Sequence, residues 1–158
     1  MNITYQKESL QYGKIDIRAK MPKGVGSWPA FWLLPNSIKE GTPWPLCGEI
    51  DLMEHVGRDQ DVIHFSLHTM KYNFKHDSQF TEVLKVEGVS ETYYTYGMEW
   101  DEESIKFFID GELLACFKKG DREDVTIEGW PFDQPFYLIL NLAVGGHWGG
   151  SIDDESLP

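Results

Sequence analysis

The chain has 158 residues, with 14 Lys+Arg against 26 Asp+Glu and a formal charge of −12. That balance speaks against nucleic acid or an anionic membrane as partner, since both demand basic patches, and it fits an acidic polymer poorly. An apolar fraction of 41% with 6 Trp, 7 Tyr and 9 Phe excludes a disordered acidic tail and suits one domain over residues 1–158.

No uninterrupted apolar stretch approaches the roughly 20 residues of a membrane helix. The start, Met1-Asn2-Ile3-Thr4-Tyr5, lacks the basic region and apolar core of a secretory signal. Residues 12–20 alternate apolar and charged side chains, the pattern of a strand with one wet face. In Trp28-Pro29-Ala30-Phe31-Trp32 the two tryptophans fall four apart and share a strand face, with Phe31 opposite. A Pro-rich loop over 36–46 carries Trp44, and a second long loop spans 70–80; long loops on β scaffolds often shape a binding site. Between these loops, 62–69 reads as a strand with His64 and His68 on one face. The stretch 81–89 offers a turn or two of helix without a sustained apolar stripe. Residues 104–109 and 112–117, separated by Asp110-Gly111, give a hairpin signal, because a type I′ turn needs positive φ at both central residues. The run 136–144 is almost wholly apolar and predicts a strand buried on both faces. The chain is expected to be an all-β sandwich of two antiparallel sheets. Cys47 and Cys116 provide no disulfide framework and allow at most one bridge.

The segment Glu49-Ile50-Asp51-Leu52-Met53-Glu54 is the most informative. Regular alternation puts Glu49 and Asp51 on one face, while Glu54, five residues from Glu49, falls on the other. One extra residue taken up as a β-bulge near Leu52-Met53 returns Glu54 to the face of its partners. Like charges so placed push their pKa values apart, leaving one carboxyl protonated while another ionises. Retaining glycoside hydrolysis needs that division between a nucleophile and an acid/base about 5–5.5 Å apart. The bland alternative is an exposed strand with a solvated acidic face.

The neighbours weigh against the bland reading. Sugar rings present apolar C–H faces that stack on indole, so Trp28, Trp32 and Trp44 beside an acidic strand suit a saccharide groove, although any one of them alone is as well explained by a core. His64 and His68 match no specific zinc spacing, and a hydrogen-bonding role in the cleft or a satisfied structural histidine is the better expectation. Cys47 has no histidine partner and reads as a buried thiol. Gly145-Gly146-His147-Trp148-Gly149-Gly150 lacks the lysine of a phosphate-binding loop and fits a loop passing close to a ligand, with Trp148 as a wall.

Taken together, these residues are familiar. The Glu49–Glu54 motif resembles the catalytic signature of glycoside hydrolase family 16, in the version with an added Met that laminarinase-type endo-1,3-β-glucanases carry. Residues 24–35, with Trp28-Pro29-Ala30-Phe31-Trp32, and residues 130–146, with Asn141-Leu142-Ala143-Val144-Gly145-Gly146, are similar to the same group. The resemblance implies a concanavalin A-like jelly roll, with Glu49 as nucleophile, Glu54 as general acid/base and Asp51 hydrogen-bonded to the nucleophile. It further implies that Trp28, Trp32 and Trp44 wall the sugar subsites and that His68 is a polar cleft residue. The implied activity is endo-cleavage of internal β-1,3 bonds, with mixed β-1,3/1,4 glucan as a second substrate, outside the cell. The alternative is a glucan-binding module with little turnover. Family domains usually carry further strands before the position of Tyr5 and after that of Pro158, so the chain reads as truncated at both ends. Self-association through exposed sheet edges is the corresponding expectation. The family's frequent calcium site draws on those terminal segments, so no metal or other cofactor is expected.

Overall fold

The computed structural model describes residues 8–152, together with the backbone of residues 2 and 3. Its strands are β1 (Asn2–Ile3), β2 (Gly13–Ala19), β3 (Ser27–Pro35), β4 (Glu49–Glu54), β5 (Val62–His68), β6 (Phe80–Lys85), β7 (Tyr94–Trp100), β8 (Ser104–Ile109), β9 (Glu112–Lys118) and β10 (Phe136–Val144). A single helical turn, α1 (Gly146–Gly149), follows β10. The strands pair antiparallel into a six-stranded sheet, β1-β10-β3-β4-β5-β6, and a four-stranded sheet, β2-β7-β8-β9. Non-consecutive neighbours in both sheets give the jelly-roll sandwich expected from the sequence.

Alternation explains why the sheets meet as they do. The inward side chains of β3, β4 and β5, including Phe31, Leu33, Ile50, Leu52, Ile63 and Phe65, join Tyr96, Met98, Ile105 and Phe107 of the opposite sheet in one core. Phe65 and Phe107 stack across the layers at 5.1 Å. Fully burying side chains of this size contributes roughly 1.5–3 kcal/mol each, which fixes the register of every strand that carries one. The β8–β9 hairpin turns at Asp110 (φ 49°) and Gly111 (φ 83°), the two positive values the Asp-Gly pair predicts.

Two expectations are corrected, and the open state of the cysteines is answered. Residues 80–85 form no helical turn but the edge strand β6, paired with β5 from Phe80↔Leu67 to Lys85↔Val62. Only Phe80 of that strand is buried, so the segment has no stripe to display and its state is set by tertiary pairing. In β10 the apolar run is buried on both faces only at its start. Leu142 and Val144 remain 39% and 49% exposed. Cys47 and Cys116 form no bridge; both are free thiols.

Candidate active site

β4 carries the decisive irregularity. On its β5 side Asp51 pairs with Ser66 and Glu54 with His64, so three steps along β4 match two along β5. On the β3 side Asp51 pairs with Trp32 and Met53 with Phe31, two steps against one. The bulge therefore sits at Leu52-Met53, as the sequence spacing requires. Ile50, Leu52 and Met53 all have no exposed surface and lie in the core. Their burial anchors the strand, and the three acidic side chains are left on the opposite face.

On that face Glu49, Asp51 and Glu54 line a cleft of about 240 Å³ with Trp28, Ala30, Trp32, Asn141 and Ala143. The Trp28 indole N–H donates to Glu54 Oε1 at 3.1 Å. Trp32 donates to Asn141 Oδ1 at 2.7 Å. His68 Nε2 lies 3.2 Å from Asp51 Oδ2 and 4.0 Å from Glu49 Oε1. No hydrogen bond joins Asp51 to Glu49 among the described residues; the close contact of Asp51 is His68. Trp44 stands at the Glu49 end, with its ring 6.3 Å from that of His68 and 5.4 Å from that of Phe74. The two long loops thus meet above His68. A larger groove of about 480 Å³, lined by Lys71, Tyr72 and residues 123–126, shares no residue with this cleft.

Burial dominates the electrostatics. It pushes Asp51 from 3.8 up to about 8. Glu54 is likewise pushed to about 8, by burial first and the Asp51 charge second, with the Trp28 N–H opposing. Glu49 is raised by burial and then by Asp51, while His68 and the nearby indole of Trp44 favour its anion. Burial lowers His68, so its imidazole is neutral at neutral pH and does not cancel an anion with a full charge. The trio therefore shares protons, and the cleft offers a carboxylic acid and a carboxylate side by side. Donor atoms of Glu49, Asp51 and His68 lie within 4.8 Å of one another, so among the described residues these three form the group that could hold a cation. The terminal segments on which the calcium expectation turned lie outside the described residues.

The structure thus gathers Glu49, Asp51, Glu54, Trp28 and Trp32 in one cleft and sets His68 and Trp44 at its end. His64 does not line the cleft; its ring packs edge-on against Trp148 at 4.9 Å. Cys47 is wholly buried, and burial pushes its thiol up to about 11, so it is inert. Asn141, Ala30 and Ala143 are cleft residues that sequence reasoning missed. A lone Asn inside a nine-residue apolar strand was the signal for the first, since a polar amide there needs a partner. The alanines carry no signal beyond their small size, which leaves room between the tryptophans.

Known proteins resemble this chain along most of its length. The family model described as glycosyl hydrolases family 16 matches residues 3–156. A β-glucanase of Rhodothermus marinus is 42% identical over 161 residues, covering 99% of this chain and 56% of that protein. A keratan-sulfate endo-1,4-β-galactosidase of Sphingobacterium multivorum is 36% identical, covering 96% of this chain and 35% of that protein. Among solved structures, the laminarinase from Rhodothermus marinus superposes with a TM-score of 0.88 at 42% identity, covering 94% of this chain and 61% of its own. The chain spans about half the length of these relatives, or less.

Proposed function

The chain belongs to glycosyl hydrolase family 16, and from that premise we propose that it cleaves internal β-1,3 bonds of glucan with retention of configuration. The observation that carries the reading is the bulge at Leu52-Met53, which turns three carboxyls into one tryptophan-walled cleft. Glu54, held near pKa 8, arrives protonated and gives its proton to the departing glycosidic oxygen. Glu49, whose anion His68 and Trp44 favour, attacks the anomeric carbon and forms a glycosyl ester. Glu54, now a carboxylate, takes a proton from water, whose oxygen displaces Glu49 from the face that the leaving group vacated; two inversions retain configuration. Asp51 sits between them as a proton reservoir in contact with His68. Trp28 and Trp32 offer indole faces to the sugar, and Trp44 extends the platform past His68.

The choice of glucan rests on the relatives named for β-glucan and on the Met53 bulge, while the relative named as a keratan-sulfate endo-1,4-β-galactosidase marks a competing specificity. Mixed β-1,3/1,4 glucan is the second substrate in this proposal. A polymeric substrate does not cross a membrane, so we extend the proposal to an extracellular site of action, tested by where the protein accumulates in its source. Self-association through the outer edges of β6 and β9 completes it; a monomeric mass at micromolar concentration would refute that part. The central test is reducing-end release from laminarin and from barley mixed-linkage glucan, with Glu54→Ala beside the parent. Turnover on laminarin should fall on the order of 100- to 10,000-fold in the variant. Binding of laminarin with no turnover by the parent would refute the hydrolase and leave a glucan-binding module.

A further inference from the structure

The segment 145–150 is fastened tightly for a loop that supplies no carboxyl. Gly145 N–H donates to the Gly26 carbonyl at 2.7 Å, and Gly26 N–H donates to the Gly149 carbonyl at 3.0 Å. Both bonds close on the residue two before Trp28. Gly145, Gly146 and Gly150 take φ of 75°, 88° and 89°, a left-handed backbone that glycine adopts without steric cost. A Cβ on Gly149 would stand 3.3 Å from the Gly26 carbonyl oxygen and 3.7 Å from Trp28 Cβ, so the turn lies directly on the root of that tryptophan.

What this strap presents is Trp148. Its ring meets Trp28 edge-on at 5.1 Å and 82°, and meets His64 edge-on at 4.9 Å and 80°. His64 is the cross-strand partner of Glu54. Trp148 is therefore wedged between the indole that hydrogen-bonds the acid/base and the residue beside the acid/base on β5. The Trp28 N–H is the sole hydrogen bond to the Glu54 carboxyl among the described residues. Since it occupies Oε1, the transferable proton rests on Oε2, and the tilt of Trp28 fixes where Oε2 points.

Building on the hydrolase reading above, we propose that Trp148 is a positioning residue: it clamps Trp28, and through the Trp28 N–H it aims the Glu54 proton at the leaving oxygen. It acts through Trp28 and need not touch the reacting atoms. The groups facing Glu54 are Glu49 and Asp51 from β4, His64 and His68 from β5 and Trp28 from β3. Of these, Trp28 and His64 touch Trp148, and Trp28 alone hydrogen-bonds the Glu54 carboxyl among the described residues.

The test compares Trp148→Ala, Trp148→Phe and Trp28→Phe with the parent on laminarin across pH. With Trp28 loosened, Glu54 points away and loses a donor that favours its anion, so it becomes a weaker acid. Trp148→Ala should lower kcat roughly 10- to 100-fold with KM little changed. The alkaline limb of kcat/KM should move to higher pH. Trp148→Phe, which keeps a ring edge, should restore most of kcat and return the limb. Trp28→Phe, which keeps the ring and removes the N–H, should reproduce the limb displacement. A raised KM with kcat and limb unchanged would make Trp148 a sugar platform and overturn the proposal, as would parent behaviour in all three variants. The Glu54 titration can also be followed by carboxyl 13C NMR, assigned with Glu54→Gln. That measurement needs no turnover, so failure of the hydrolase reading and failure of this one are distinguishable. Should Trp148→Ala not fold, an unchanged Glu54 titration in Trp28→Phe is sufficient to overturn it.

Discussion

Replacing Asp51 with Asn should stabilise the protein, and should do so more as pH rises. Asp51 is 3% exposed, and burial pushes its carboxyl from 3.8 to about 8. The folded chain therefore binds more protons than the unfolded one between about pH 4 and 8, and stability falls as pH climbs through that window. Each pH unit inside the window costs about 1.4 kcal/mol, so four units give an upper bound of roughly 5–6 kcal/mol. Glu49 draws on the same protons, which reduces the expected effect to about 2–5 kcal/mol. Asn has the same shape, is neutral at every pH and can donate its amide N–H to the neutral His68 ring. Urea unfolding followed by tryptophan fluorescence, from pH 4.5 to pH 8, measures the gap between variant and parent. The gap should widen in favour of the variant by that amount. A constant gap would mean that Asp51 exchanges no proton on folding. A gap that moves in favour of the parent as pH rises would mean that the unfolded parent binds more protons than the folded one over this range, and the proton inventory drawn above would be wrong.

Glu49→Ala should abolish turnover of glucan, and added azide should restore cleavage of an activated aryl glycoside. The product should be an α-glycosyl azide, because one displacement inverts; a β-azide in NMR would remove Glu49 from the nucleophile role. Deleting Met53 turns the motif into a strictly alternating strand that keeps all three carboxyls on the cleft face. That variant should fold and bind laminarin but lose roughly 100-fold in kcat, because the acid/base moves along the strand by a fraction of a residue. Retention of full kcat would show the bulge to be dispensable. Asn141→Ala orphans the Trp32 N–H, which should cost about 1–3 kcal/mol of stability and loosen one cleft wall; unchanged thermal unfolding would show that the N–H finds water instead.

What was legible in the sequence is what period two controls. Glu49, Asp51 and Glu54 could be placed on one face because alternation is rigid, and a mismatch of one residue has one economical remedy, the bulge at Leu52-Met53. Trp28 and Trp32 followed from the same rule. The β8–β9 turn was legible because Asp-Gly is a local signal that tertiary contacts seldom override. Residues 81–89 were not, since an edge strand with one buried side chain takes its state from the neighbour it pairs with. The clamp on Trp28 was equally hidden. Trp148 is 120 residues beyond Trp28 in the chain, and the contact exists only because β10 lies beside β3, with Val144 opposite Ser27, so that the turn after β10 must fold back over the start of β3. No spacing rule reaches that far. The composition of the turn did carry part of the answer: glycines on both sides of one tryptophan allow a backbone to come close to another strand while holding a single large ring in place. The sequence therefore displays which groups perform the proposed chemistry, whereas the groups that aim them become visible only once the sheet order brings distant segments together.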